Sequence, residues 1–405
     1  MTMLAAALLA STAAVAATGD LPQPTRHAHS YTHAEGEIDE VQGPILLETT
    51  YTGEVIGVAA GGVRRGTRYL DNLDIVLEAD LVAVAGWRGA MLHVYGLYNN
   101  GTSVSDLAGD AQAASNIETG DRALRLYEAW IDQKLGSHAS VKVGRYDLNS
   151  EFDALETSGL FLGSAHGIGT DISQTGLSGP SIFPKTSLAA RLEVRPADGW
   201  AVRAAILDGV ANRIDFPPSA LRKDGALLIG EAELPVLGGR MLIGHWHYTA
   251  RFDAHDGRRE RGNGGVYLRG EAPIASGPAG TLAGFFRLGT ANGRLNMFDR
   301  FASAGMKLTG WLDGRDEDEL GLAVATAFTA RDYRLAQGSG KAETAIELTY
   351  RAPIAPWLSV QPNVQYVRNP SADPTIADAL VLGLRFETSF RLIGSTGETA
   401  GQSLL

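Results

Sequence analysis

The chain has 405 residues, a formal net charge of −11 and only 20% charged side chains, so a basic surface for holding nucleic acid is excluded. It contains no cysteine, which removes disulfide scaffolds and thiolate chemistry together, and its 49 glycines suit a chain with many turns and closely packed strands. Beyond the N-terminus no apolar run is long enough for a membrane-spanning helix.

Residues 1–17 open with a short apolar run (MTMLAAALLASTAAVAA) that ends in small residues of the A-x-A type, and are read as a secretory signal peptide that lacks the usual basic start. Residues 18–44 are polar, with Pro22 and Pro24, and are read as a periplasmic segment. Their histidines, His27, His29 and His33, leave metal binding as an alternative.

From there the sequence alternates with period two. Leu47, Thr49, Tyr51 and Val55 oppose Glu48, Thr50, Thr52 and Glu54; Leu73, Ile75, Leu77 and Ala79 oppose Asp74, Val76, Glu78 and Asp80. The same reading predicts strands over 46–58, 70–83, 88–98, 122–134, 139–147, 187–196, 200–208 and 225–235. Eight more follow over 239–249, 263–273, 280–290, 301–310, 319–329, 341–353, 357–367 and 378–390. The region 122–147 is the least regular, since both of its faces are mixed. The last strand is the clearest: Leu380, Leu382, Leu384, Phe386 and Phe390 fall on one face, and Arg385, Glu387 and Ser389 on the other.

Sixteen strands with one greasy and one polar face describe an all-β, transmembrane antiparallel β-barrel, placed over 45–390 with a C-terminal tail over 391–405. Connections after even-numbered strands are short, whereas those over 99–121, 148–186, 209–224 and 250–262 are long, as expected of periplasmic turns and extracellular loops. The third extracellular loop, 148–186, is the longest and rich in Gly and Ser; it is expected to fold into the pore, an exposed surface loop being the alternative.

Several stretches carry a family resemblance. LDNLDIVLEADL, GWRGAMLHVYGLYNNG, VGRYDLNSEFDALETSGLFLGSAHGIG and ETAIELTYRAPIAPWLSVQPNVQYVRNPSADPTIADALVLGLRF are similar to the carbohydrate-selective porins of the OprB family, from about Tyr51 to Phe386. The resemblance implies an outer-membrane barrel that passes glucose and related monosaccharides by diffusion, works as a monomer, and needs the barrel-assembly machinery and outer-membrane lipid but no cofactor. Two departures stand out. The chain runs on past Phe390 as RLIGSTGETAGQSLL, and SADP stands where the family more often has a Gly-rich turn.

By parity the lumen receives Arg191, Glu193, Arg195, Arg203, Glu231, Glu233, His245, His247, Arg269, Glu271, Arg287, Lys307, Glu343, Glu347, Arg351, Arg385 and Glu387. Trp200, Trp246 and Tyr248 are assigned to the outer aromatic belt. Interleaved charges suit a neutral polyhydroxyl solute better than an anion. A substrate-binding eyelet is predicted from Asn149, Glu151 and Asp153 of the loop, Arg145 at its mouth, and Arg191 and Arg287 on the facing wall. For each arginine the alternative is a structural pair with a nearby carboxylate. Glu151 and Asp153 also allow a glycosidase pair, and His245 with His247 a metal site, but neither has a supporting third group, and no enzyme is expected. A general or differently selective porin, or a surface β-protein that binds ligands, are the remaining alternatives.

Overall fold

The computed structural model describes residues 42–211 and 224–395. Sixteen antiparallel strands, β1 (Gln42–Gly62) to β16 (Ala377–Ser395), close in sequence order into one barrel, with β16 paired back onto β1. The ends predicted for β7 (Trp200–Asp208) and β13 (Glu319–Thr329) coincide with those observed, and every other predicted strand overlaps its counterpart. The signal expected over 1–17, the leader expected over 18–44 as far as residue 41, and most of the loop expected over 209–224 lie outside the described residues; residues 42–44 belong to β1 and not to the leader.

Alternation sorts the two faces. Val55, Ile75, Val143, Val202, Leu288 and Leu384 are exposed on the outer surface, while their sequence neighbours Glu54, Asp74, Lys142, Arg203, Arg287 and Arg385 are buried inside. Trp87, Trp200, Trp311, Trp357 and Phe390 are exposed at the short-turn end; Trp357 and Phe390 stack with ring centroids 6.2 Å apart. They form an interfacial aromatic girdle of the kind such barrels carry.

Local chemistry moves three boundaries. β2 (Gly66–Asp80) stops short of Ala83 because the Asp80 carboxylate accepts from the Val82 N–H and caps a short helix, Leu81–Ala85. The long connection expected over 250–262 shrinks to 254–258, since β9 (Gly239–Asp253) and β10 (Arg259–Gly277) extend towards each other as a hairpin. β16 continues past Phe390 to Ser395, and Arg391 pairs with Glu48 of β1 at 2.8 Å.

The irregular region has a simple cause. In β4 (Ala123–Lys134) the register against β3 (Ala90–Asn99) slips at Tyr127, so Tyr127 and Glu128 are both buried and the inward parity changes from odd to even.

One facing assignment is overturned. His245 and His247 point outwards and are exposed, whereas Trp246 and Tyr248 are inside, 0% and 1% exposed. The aromatic rings are inside because the connection 147–186 covers them. Trp246, Tyr248 and Tyr267 cluster with Leu148, Phe152, Ile168 and Ile172 of that segment and with Leu207, Leu227 and Ile229 of the wall. The connection 100–122 behaves likewise: Val104, Leu107 and Ala108 pack on Ile56, Val58, Leu70 and Val381 around the β1–β16 seam.

Candidate functional site: the inner wall and the third loop

The inner wall is lined with carboxylates that receive backbone N–H groups from the two large loops. Glu347 of β14 (Ala342–Ala355) accepts from the N–H of Leu162 at 2.7 Å and of Gly163 at 2.9 Å. Glu271 of β10 accepts from Glu156 and Thr157 at 3.2 and 2.7 Å, and Glu343 from Ala111 and Gln112 at 2.8 and 2.9 Å. In each case two consecutive amides converge on one carboxylate, a charge-assisted arrangement about twice as strong as a neutral hydrogen bond. Fixed anions on rigid strands therefore set the path of the loops.

Two ion-pair clusters hold the loop carboxylates. Glu151 lies between Lys142 of β5 (Ala139–Tyr146), at 2.6 Å, and Arg191 of β6 (Ser187–Ala197), at 2.7 Å, and it also accepts from the Tyr146 hydroxyl at 2.7 Å. Burial alone would raise its pKa, but Lys142 and Arg191 outweigh burial and hold the carboxylate well below its ordinary range. Arg191 reaches Asp132 of β4 at 3.0 Å as well.

In the second cluster, Arg287 of β11 (Gly280–Ala291) binds Asp153 at 2.7 Å and Asp171 at 2.6 Å. The Asp153 amide donates to Glu231 of β8 (Ala226–Val236) at 3.1 Å, and Glu231 also receives the Tyr267 hydroxyl at 2.7 Å and Arg269 at 3.1 Å. Two glycines make this approach possible. A Cβ on Gly169 would lie 1.9 Å from Nη1 of Arg287, and one on Gly289 would lie 2.1 Å from Oδ2 of Asp171.

The structure thus brings four predicted eyelet residues into two pairs, Glu151 with Arg191 and Asp153 with Arg287. Asn149 is a brace within the loop, donating to the carbonyls of Phe152 and Asp153 at 3.1 Å each. Arg145 stands apart: it shares the outward face of Val143, and its guanidinium donates to the hydroxyl and carbonyl of Thr186, both at 2.9 Å. Glu151 and Asp153 are bonded to different cations on different strands, so they do not form a carboxylate pair facing one gap. The imidazoles of His245 and His247 face out, and no group of three metal-ligating side chains occurs among the described residues.

Sequence reading missed Lys142, which lies in the stretch whose faces looked mixed, and Asp171, which lies in a loop without periodicity. Their partners, Glu151 and Arg287, and the wall carboxylates Glu231, Glu271, Glu343 and Glu347 are legible in the sequence.

Below the loop contacts the wall charges continue as a relay between neighbouring strands. Arg203 bonds Glu193 at 2.6 Å and Glu233 at 3.1 Å; Arg240 bonds Glu233 at 3.4 Å and Glu271 at 2.8 Å; Lys307 and Arg351 share Glu319 at 2.8 and 3.4 Å. A polar wall of this kind enclosed by a closed barrel with an apolar exterior defines an outer-membrane porin.

The chain belongs to the carbohydrate-selective porin, OprB family, whose model matches residues 64–390. It is 24% identical over 411 residues to Porin B of Pseudomonas aeruginosa, a match that covers 85% of this chain and 88% of that protein. Among solved structures, OprB of Pseudomonas putida at high pH superposes with a TM-score of 0.76 at 21% identity, covering 86% of this chain and 94% of that one. The outer-membrane channel DcaP of Acinetobacter baumannii superposes at 0.55 with 9% identity, covering 85% and 97%. These last two similarities concern the fold. Membership of the family makes the protein a sugar-selective porin of the outer membrane.

Proposed function

We propose that the barrel passes glucose and related monosaccharides passively, and that the third loop, 147–186, folds into the lumen to form the constriction. The observation that carries this reading is the double attachment of the loop, through Glu151 to Arg191 and through Asp153 to Arg287, on strands that lie apart on the inner wall. Asn149 and Glu151, which are partly exposed, then edge the narrow passage, and the buried Asp153, Arg191 and Arg287 hold that edge in place. Arg145 supports the loop's far end through Thr186. Donors and acceptors on both sides of a gap suit sugar hydroxyls, which give and accept hydrogen bonds. Contacts of this kind must stay weak for the solute to leave again.

The protein has no catalytic role in this reading; it works as a monomer, inserted through the barrel-assembly machinery, after removal of a signal over 1–17. Residues 18–41 remain in the periplasm. Single-channel recording in planar bilayers with stepwise addition of glucose tests the proposal. Current that falls saturably with sugar supports it, and channels indifferent to every sugar would refute the selectivity.

A further inference from the structure

The outer face of β9 differs from the belt around it. Its neighbours offer Val202, Ile206, Leu228, Val266 and Leu288 to the lipid, whereas β9 offers Ile243, His245, His247, Thr249 and Arg251 in turn. Polar and ionisable groups on a lipid face are costly near the middle of the bilayer and nearly free at its edges. Each imidazole has a bare flank and an apolar one: Gly230 of β8 and Val266 of β10 are the partners of His245, and Gly264 of β10 and Leu228 of β8 the partners of His247. The result is an outward groove of about 640 Å³ bounded by Leu192, Ala204, Leu228, Gly230 and the two histidines.

At the upper end of the same row stand two arginines. Arg251 and Arg261 are cross-strand partners on the outer face, both exposed, and neither has a hydrogen-bonding or ionic partner among the described residues. Like charges directly opposite each other are destabilising unless an anion lies between them. The carboxylate on this hairpin's outer face, Asp253, is engaged by Arg259 at 3.6 Å. The hairpin belongs to the end that carries the long loops, which in such barrels faces out of the cell.

We infer that this surface binds a phosphorylated glycolipid of the outer leaflet: its phosphate sits between Arg251 and Arg261, its acyl chain lies in the groove, and His245 and His247 meet the polar junction between them. A guanidinium pair offers the planar, bidentate donors that phosphate takes best. In a two-fold contact a second copy of the chain would instead set these arginines against the same arginines.

The test is native mass spectrometry of the folded full-length protein in detergent, titrated with bisphosphorylated lipid A. Lipid A is expected to bind at least about tenfold more tightly than the same lipid stripped of its phosphates, and the variant R251Q/R261Q should lose that margin. Gly230→Leu, which fills the groove, should weaken binding while leaving the arginines in place. If R251Q/R261Q does not fold, judged by heat-modifiable gel migration, R251K/R261K takes its place and should retain only part of the margin. Equal binding of the two lipids, or an unchanged affinity in a folded variant, overturns the inference. So does complete displacement of lipid A by inorganic phosphate, which would reveal an anion site without a lipid site. Higher oligomers that vanish in the variant would reassign the face to a second copy and overturn it too.

Discussion

Asp153 sits 2.7 Å from Arg287 and holds the turn of the third loop against β11, with both side chains buried. Asp171 occupies the other side of the same guanidinium at 2.6 Å, so one wall arginine ties two points of the loop that are eighteen residues apart in sequence.

Removing Asp153 leaves Arg287 with one carboxylate. Breaking one partner of a buried pair costs roughly 3–5 kcal/mol, which exceeds what the remaining loop contacts at this point replace. Asp153→Asn should therefore raise single-channel conductance and increase the glucose concentration needed for half-block several-fold. Unchanged conductance would show that the turn is held by other contacts.

Glu347→Gln tests the amide anchors. The neutral amide offers one acceptor where two N–H groups and Asn363 now converge, and each lost charge-assisted bond is worth about 1.5–3 kcal/mol. Limited proteolysis near Leu162 should become faster in the variant, with the barrel itself intact by gel migration. Equal protection of the segment in both proteins would argue against the anchor.

The orientation of β9 can be checked from both sides. A cysteine in place of His247 should react with a lipid-soluble maleimide, and one in place of Trp246 should stay protected from it. Trp246→Ala should also loosen the loop, at a cost of about 3–5 kcal/mol for an aromatic removed from a packed cluster. Trp200→Ala, on the outer belt, should leave conductance unchanged.

Asp147, at the start of the loop, gives a pH signature. Burial, and after it the neighbouring Glu128, raise its pKa to about 7. A carboxyl group raised in this way favours the folded state when protonated, so its stabilising contribution is complete at low pH and is lost as pH rises from about 4 through 7. Asp147→Asn should accordingly raise the midpoint of thermal unfolding at pH 8, by the equivalent of about 1–3 kcal/mol, and lose that advantage by pH 5. The same advantage at both pH values would show that Asp147 is ionised throughout.

How far the sequence carries the fold depends on which solvent each face meets. Strands with lipid on one side and wall charges on the other, such as Leu382–Arg385, are read directly from alternation. Two places break the rule for physical reasons. At Tyr127 a bulge shifts parity within a strand, so neither face looks pure. On β9 the inner face is more apolar than the outer because the third loop, distant in sequence, covers Trp246, and nothing local to the strand reports that cover. The site divides in the same way. Wall residues Arg191 and Arg287 were legible through parity, and Glu151 and Asp153 through the loop they share. Asp171 and Lys142 were not, because the contacts that define them exist only once the loop has met the wall.

The seam between β1 and β16 joins residues 42–62 to residues 377–395. The cylinder thus depends on its first and last strands meeting, and a chain truncated within β16 retains two unpaired edges. Pairing over so many intervening residues is slow to find and leaves strand edges open to other chains until it is made. The closing pair Glu48–Arg391 is in this sense a late event in biogenesis, and damage there should appear as aggregated protein before insertion more than as an altered current after it.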